Sequence, residues 1–240
     1  MADTNRVINR RHWLVILLAI NSGATDAIGF VGLGGVFTSV MTGNMVLLGL
    51  SLSQPDWTLA LHSGAAIACF AIGAAAGARI AGLPRQGDPI WPAAVTRALA
   101  VEFVILGVFL VGWEVAGGSP GQETQLGLLV VNAVALGIQS SAILRFGVSG
   151  LSTTYLTGTL TTVVTRIVTG QRLRDVRSSI EILFGLVAGA AAGGGLAAHA
   201  PRTAPLLQVG IVGFVLFVAA WQFGRRTPVR PGLQVGSQSG

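Results

Sequence analysis

Six stretches of this chain, at about 13–33, 58–79, 97–116, 124–145, 178–199 and 204–224, are apolar and almost free of charge. Each reaches the roughly 20 residues that carry a helix across a bilayer. In hydrocarbon a segment must satisfy its own backbone N–H and C=O groups, which a helix does. The chain is therefore expected to be an all-α membrane protein. Composition agrees: 10% of residues are charged and 52% hydrophobic, where a soluble domain carries about 25% charged residues.

Arg10 and Arg11, followed by Trp13 to Ile20, could be read as a secretory signal. The apolar run continues to about Leu33, so it is expected to be a retained first span. The net charge of +6 comes from fifteen basic residues that are all Arg, set in short loops. Arg beside apolar spans sets membrane orientation, so the lipid bilayer is the expected partner and nucleic acid is not. Cys69 is the one cysteine. No disulfide, metal or other cofactor is expected, and Cys69 reads as a small packing residue.

Two further segments are apolar but interrupted by Thr and Gly: GGVFTSVMTGNMVLLGLSLS at 34–53 and SGLSTTYLTGTLTTVVTRIVT at 149–169. They align when the sequence is shifted by 115 residues. Thr38, Thr42 and Gly43 then meet Thr153, Thr157 and Gly158, and Ala27-Ile28 meets Ala142-Ile143. GAAAGAR at 73–79 resembles GAAAGGG at 189–195, one residue out of register. The chain thus reads as two repeats, 13–116 and 124–224, between a cytoplasmic tail at 1–12 and another at 225–240. Both tails are expected to be mobile.

Arginine placement chooses the topology. Eight full spans in two parallel repeats would leave Arg79, Arg85, Arg97, Arg145 and Arg202 outside the cell. If 34–53 and 149–169 instead dip in and return, six spans remain and Arg202 alone lies outside. The positive-inside rule favours the second arrangement, which makes the repeats inverted, each with three spans and one re-entrant half-helix. Met45 to Ser53 would form a half-helix of about 13 Å, with both chain termini cytoplasmic.

Irregular backbone at membrane depth survives where protein or a wet cavity surrounds it. Thr42-Gly43-Asn44 and Thr157-Gly158-Thr159 are therefore expected to converge near the midplane. Each would begin a half-helix whose exposed N–H groups and partial positive charge suit an anion or polar solute. Simple capping of a broken helix is the competing reading. Asp26, in the middle of the first span, is the candidate for proton or ion coupling, since a carboxylate there is costly and often functional. It could equally cap the broken helix. Its repeat partner is Ser141, so the acid is not duplicated.

Asn21, Asn132 and Gln139 lie within spans and could line a path, but interhelical glue is the expected role. Glu102 and Glu181 are placed near cytoplasmic helix ends, paired with nearby Arg or snorkelling to the interface. Arg145 reads as an interfacial anchor, His62 as a packing residue, and the Thr-rich stretch 157–165 as hydroxyls bonded to backbone carbonyls. Gly147-Val148-Ser149-Gly150 and His199 resemble pieces of intramembrane serine proteases. The topology puts Ser149 and His199 at opposite membrane faces, about 30 Å apart, so no catalytic residue and no enzyme activity is expected.

The run TDAIGFVGLGGVFTSVMTGNMVLLGLSL at 25–52, with GIQSSAILRFGVSGLSTTYLTGTLTTV at 137–163, resembles the YoaK family of bacterial inner-membrane proteins. The similarity covers about 13–224. It implies a bacterial inner-membrane location and supplies no substrate, since the family is classed as a domain of unknown function. The expectation from the residues is a transporter or channel for a small polar or anionic solute, with proton coupling through Asp26. A non-transporting membrane scaffold is the alternative. The Gly73/Gly77 and Gly189/Gly193 spacings permit close helix contacts within one chain or in a homo-oligomer.

Overall fold

The computed structural model describes residues 2–146 and 156–223. Eight helices are present among them: α1 (Ala2–Gly32), α2 (Met41–Ser53), α3 (Trp57–Ala81), α4 (Ala93–Val115), α5 (Gln122–Leu144), α6 (Leu156–Val168), α7 (Leu173–His199) and α8 (Ala204–Phe223). Six have the length and apolarity to cross a membrane, while α2 and α6 are apolar but short. At 13 residues each, α2 and α6 are about 20 Å long, less than the hydrocarbon core. The protein is an all-α membrane protein.

Side-chain register fixes the helix directions. Gly185 lies beside Ile16 and Ile20, Gly189 over the Ile20 carbonyl and Gly193 over that of Ala24, so α1 and α7 run parallel. Gly73 over the Val134 carbonyl and Gly77 over Ile138 make α3 and α5 parallel in the same way. Arg11 stacks on Phe146 while Asn21 bonds Gln139, so α1 and α5 are antiparallel. Trp113 Nε1 donates to the Pro201 carbonyl and Phe103 meets Gly213, so α4 and α8 are antiparallel too. In the hydrophobic clusters Val95 and Leu99 of α4 meet Ile138, Ala142 and Ile143, whereas Phe109 and Trp113 meet Leu128 and Leu129. That order makes α4 antiparallel to α5.

It follows that α1, α4 and α7 cross one way and α3, α5 and α8 the other. Residues 33–56 leave and return at one end of the bundle, the far end. The connection from α5 to α7, which holds α6, does so at the end where α1 begins. The repeats are inverted, and eight full spans are excluded because α1 and α3 run in opposite senses. Arg202 alone among the described arginines lies at the far end; the others sit at or near the end where α1 begins and α8 finishes.

Matched glycines tie the two repeats together. Gly23 lies over the Leu186 carbonyl and Ala190 nitrogen as Gly137 lies over those of Phe70 and Ala74. A Cβ at Gly189 would stand 2.0 Å from the Ile20 carbonyl oxygen, and one at Gly73 2.2 Å from that of Val134. Small residues permit this approach, and packing is what joins helices in a bilayer. These glycine pairs are spent on contacts within the chain. They also refine the repeat: Gly23 matches Gly137 at an offset of 114, and Gly73 matches Gly189 at 116. Asp26 therefore corresponds to Ser140, not Ser141.

The central helices are α1 and α5. Their most apolar windows are 72% and 67% buried, against 22% for α3 and α7 and 33% for α4 and α8. The outer helices turn Val104, Val108, Val111, Phe184, Phe214 and Phe217 outward, towards where lipid would lie.

Three expectations change. Residues 2–12 continue α1 instead of forming a mobile tail: Gly and Pro are absent there, and His12 anchors the helix on Glu181 at 2.6 Å. The half-helix of repeat one begins at Met41, four residues earlier than expected, because the break lies at Gly34 and Gly35. Both have positive φ, 89° and 74°, a region that suits glycine. Arg145 is buried and reaches the Leu83 carbonyl and, at 2.9 Å, Asp88 in the α3–α4 connection. Residues 147–155, with Thr153 and Ser149, and the segment 225–240 lie outside the described residues.

Candidate functional site

The re-entrant segment at 33–40 is held by one carboxylate. Asp26 Oδ1 accepts the Thr38 amide at 2.8 Å, the Ser39 amide at 2.7 Å and the Thr38 hydroxyl at 3.1 Å. Its Oδ2 accepts the Ser39 hydroxyl at 2.6 Å. These donors belong to a non-helical stretch that would otherwise leave polar backbone unpaired inside the bundle. Asp26 lies six residues before the end of α1, so the segment descends about 9 Å below that end.

Asn44, buried in the first turn of α2, completes the hold. Its Oδ1 accepts the Phe37 amide at 2.9 Å and its Nδ2 donates to the Phe37 carbonyl at 2.6 Å. Gly43 faces the Phe37 ring, where a Cβ would stand 3.1 Å away. Thr42 is exposed.

At the start of α6, Thr157 and Gly158 are exposed and Thr159 is buried. Thr161 and Thr162 hydroxyls donate to the Thr157 and Gly158 carbonyls at 3.0 and 2.8 Å, the carbonyl bonding expected of this stretch. The two tips do not meet. The tip of α2 is at the level of Asp26, whereas Leu156 packs on Val15, Ile16, Ala19 and Ile182. Seven residues of α1 separate Ala19 from Asp26, about 10 Å along the axis.

Between those two levels lies a layer of buried polar side chains. Asn21, Ser22 and Thr25 of α1, Glu102 of α4, Gln139 of α5 and Gln208 of α8 are each 1% exposed or less. Asn21 Nδ2 donates to Gln139 Oε1 at 3.0 Å and lies 3.5 Å from Glu102 Oε1. Gln139 Nε2 donates to Ser22 Oγ at 2.8 Å and to the Leu18 carbonyl at 3.3 Å. Thr25 Oγ1 lies 3.1 Å from Gln208 Oε1 and 2.7 Å from the Asn21 carbonyl.

The layer is incompletely paired. Asn21 Oδ1, Glu102 Oε2 and Gln208 Nε2 are buried with no hydrogen-bond partner, as are both polar atoms of Asn132, seven residues before Gln139 on α5 and outside the layer. Native interiors satisfy most such groups, so unpaired ones call for an explanation.

Glu102 corrects an expectation. The helix starts at Ala93, not near 97, so Glu102 is its tenth residue of 23 and lies mid-bilayer, about 14 Å in. It is fully buried and, among the described residues, no Arg pairs with it. Glu181 does pair with Arg177, at 2.7 Å. Gln208 drew no attention in the sequence. A usable signal existed: Val101-Glu102 and Leu106-Gly107 match Leu207-Gln208 and Val212-Gly213 once the shorter α7–α8 connection is allowed for. The acid in one repeat thus corresponds to an amide of similar shape in the other.

Residues 14–219 match the family described as "Protein of unknown function (DUF1275)". A curated relative, "UPF0700 transmembrane protein YoaK" of Bacillus subtilis (strain 168), is 37% identical over 150 residues. That alignment covers 62% of this chain and 64% of the relative, so it spans less than two thirds of that protein's length. No solved structure matches the chain. With the family match covering nearly all of the six-span bundle, this multi-pass membrane protein belongs to the DUF1275 family, that of the YoaK-like membrane proteins.

Proposed function

We propose that this protein is a transporter of a small polar or anionic solute in the bacterial inner membrane, driven by protons. The observation that carries the reading is the pair of re-entrant segments flanking an unsatisfied polar layer, since a bundle needing stability alone gains nothing from buried, unpaired amides. Thr42, Gly43, Asn44, Thr157, Gly158 and Thr159 line the two approaches, one from each side. Asp26 acts as a proton-sensitive latch: neutralising its carboxylate weakens the charge-assisted bonds that hold residues 38–39. With eleven of the described arginines at the end where α1 begins (Arg6, Arg10, Arg11, Arg79, Arg85, Arg97, Arg145, Arg166, Arg172, Arg174 and Arg177), that end and both termini are cytoplasmic.

The test is uptake by proteoliposomes under an imposed pH gradient, across a panel of small anions and polar neutral solutes. Gradient-dependent uptake that loses its pH dependence in Asp26→Asn is expected. Full pH dependence in that variant removes Asp26 from coupling. No uptake of any solute, with a stably co-purifying protein, moves the reading to a membrane scaffold.

A further inference from the structure

We propose that Glu102 is a proton-binding site at the centre of the bundle, with the Asn21 amide beside it as the acceptor for its O–H. Its use in coupling rests on the transport reading above; the binding of the proton does not.

Glu102 is fully buried at mid-membrane, and one of its oxygens has no partner. A permanently ionised carboxylate there is costly unless a cation or several donors meet it. Among the described residues the sole donor within reach is Asn21 Nδ2, at the 3.5 Å limit and shared with Gln139. No titratable or charged group among the described residues of α1, α3, α5 or α8 faces it. On α1 the nearest acid is Asp26, whose oxygens are engaged by Thr38 and Ser39. On α5 and α8 the polar groups of the same layer are the amides of Gln139 and Gln208, which meet Asn21 and Thr25.

The unpaired atoms suit a proton better than a metal cation. A hard cation wants six or so oxygens around it. Here the layer offers two free acceptors, Glu102 Oε2 and Asn21 Oδ1, beside a free donor, Gln208 Nε2. Protonation breaks one O–H bond of a hydronium ion and forms one at Glu102 Oε2, turning that acceptor into a donor, for which the amide oxygen of Asn21 is the free acceptor. Release breaks the same O–H bond and returns the proton to water on either side. The repeat supports a single site, because Gln208 occupies the matching position with a side chain that cannot take up the proton.

The experiment is infrared difference spectroscopy on the purified full chain in detergent, titrated from about pH 5 to 9, the range that buried Glu side chains reach. The expected result is a protonated-carboxyl carbonyl band that is lost as pH rises, absent in Glu102→Gln and present in Asp26→Asn. Glu102→Gln reproduces the amide of the other repeat and should keep the fold, which gel filtration checks. The wild-type chain gives a second measurement that needs no variant. A hydrophobic carbodiimide reacts with protonated carboxyls, and peptide mass spectrometry should find Glu102 modified at low pH, with that modification lost at high pH. A band unaffected by Glu102→Gln, or a Glu102 modified equally at every pH, overturns the proposal. Absence of uptake in the transport assay, with the band intact, overturns the transport reading and leaves the proton site standing.

Discussion

Asp26 accepts both the amide and the hydroxyl of Ser39, thirteen residues further along the chain, at 2.7 and 2.6 Å. That bond pair, with its counterpart at Thr38, sets how deeply the chain re-enters the bundle before α2 begins.

Replacing Asp26 by Ala leaves four donors unpaired in a buried place. The expected cost is about 2–4 kcal/mol, read as a lower melting temperature in detergent. Hydrogen exchange should show lost protection at the amides of residues 38 and 39, with α4 and α8 unchanged. Protection at 38–39 equal to wild type would show that other contacts hold the tip.

Gly189→Leu should prevent α7 from seating on α1, because even the first carbon would overlap the Ile20 carbonyl. A loss of about 3 kcal/mol or more, or failure to fold, is expected from such overpacking. Gly64→Leu, at a position with open space around it, is the control and should change stability by under about 1 kcal/mol. Equal behaviour of the two variants on thermal melting would contradict the close helix approach.

Topology is tested by labelling single cysteines in intact cells, in a Cys69→Ala background. Positions 55 and 119, at the far end, should react with an impermeant thiol reagent. Positions 86 and 171, at the other end, should react only after the membrane is opened. Position 86 is preferred to Asp88, whose carboxylate pairs with Arg145. Labelling of position 86 from outside would reverse the orientation.

Asp88 gives a pH signature outside the membrane-spanning segments. The Arg85 amide, and then Arg145, hold its carboxyl below the usual carboxylate range. A group depressed in the folded state contributes stability above its unfolded value, about 3.9, and that contribution is lost as pH falls through the folded value. Thermal stability should thus decline towards low pH more steeply in wild type than in Asp88→Asn. Parallel curves would show that the Asp88–Arg145 pair is energetically silent.

Much of the architecture was legible because its causes are local. Twenty-residue apolar runs specify spans without reference to any neighbour, and the Arg-rich connections distinguish inverted from parallel repeats. The Thr-Gly pairs marked the two interrupted segments, although they lie in the first turns of α2 and α6 and the break before α2 falls at Gly34-Gly35. The exact half-helix start was not legible, since Val40 and Met41 have nothing in their chemistry to separate loop from helix. The tail at 2–12 became helix through contacts with Glu181 and Phe146, which lie far away in sequence.

The polar layer belongs to tertiary structure alone. Asn21 meets Glu102 and Gln139 across separations of 81 and 118 residues, and Thr25 meets Gln208 across 183. Each residue read separately is an ordinary amide, hydroxyl or near-terminal acid. What the sequence by itself determined is a six-span inverted repeat with two re-entrant segments, because hydropathy, charge bias and chain breaks act within a few residues. Only the packed bundle decided that the two tips stand apart and that a carboxylate with one unpartnered oxygen lies between them. Helix register, set where glycines let backbones touch, is a property of pairs of helices and not of any one of them.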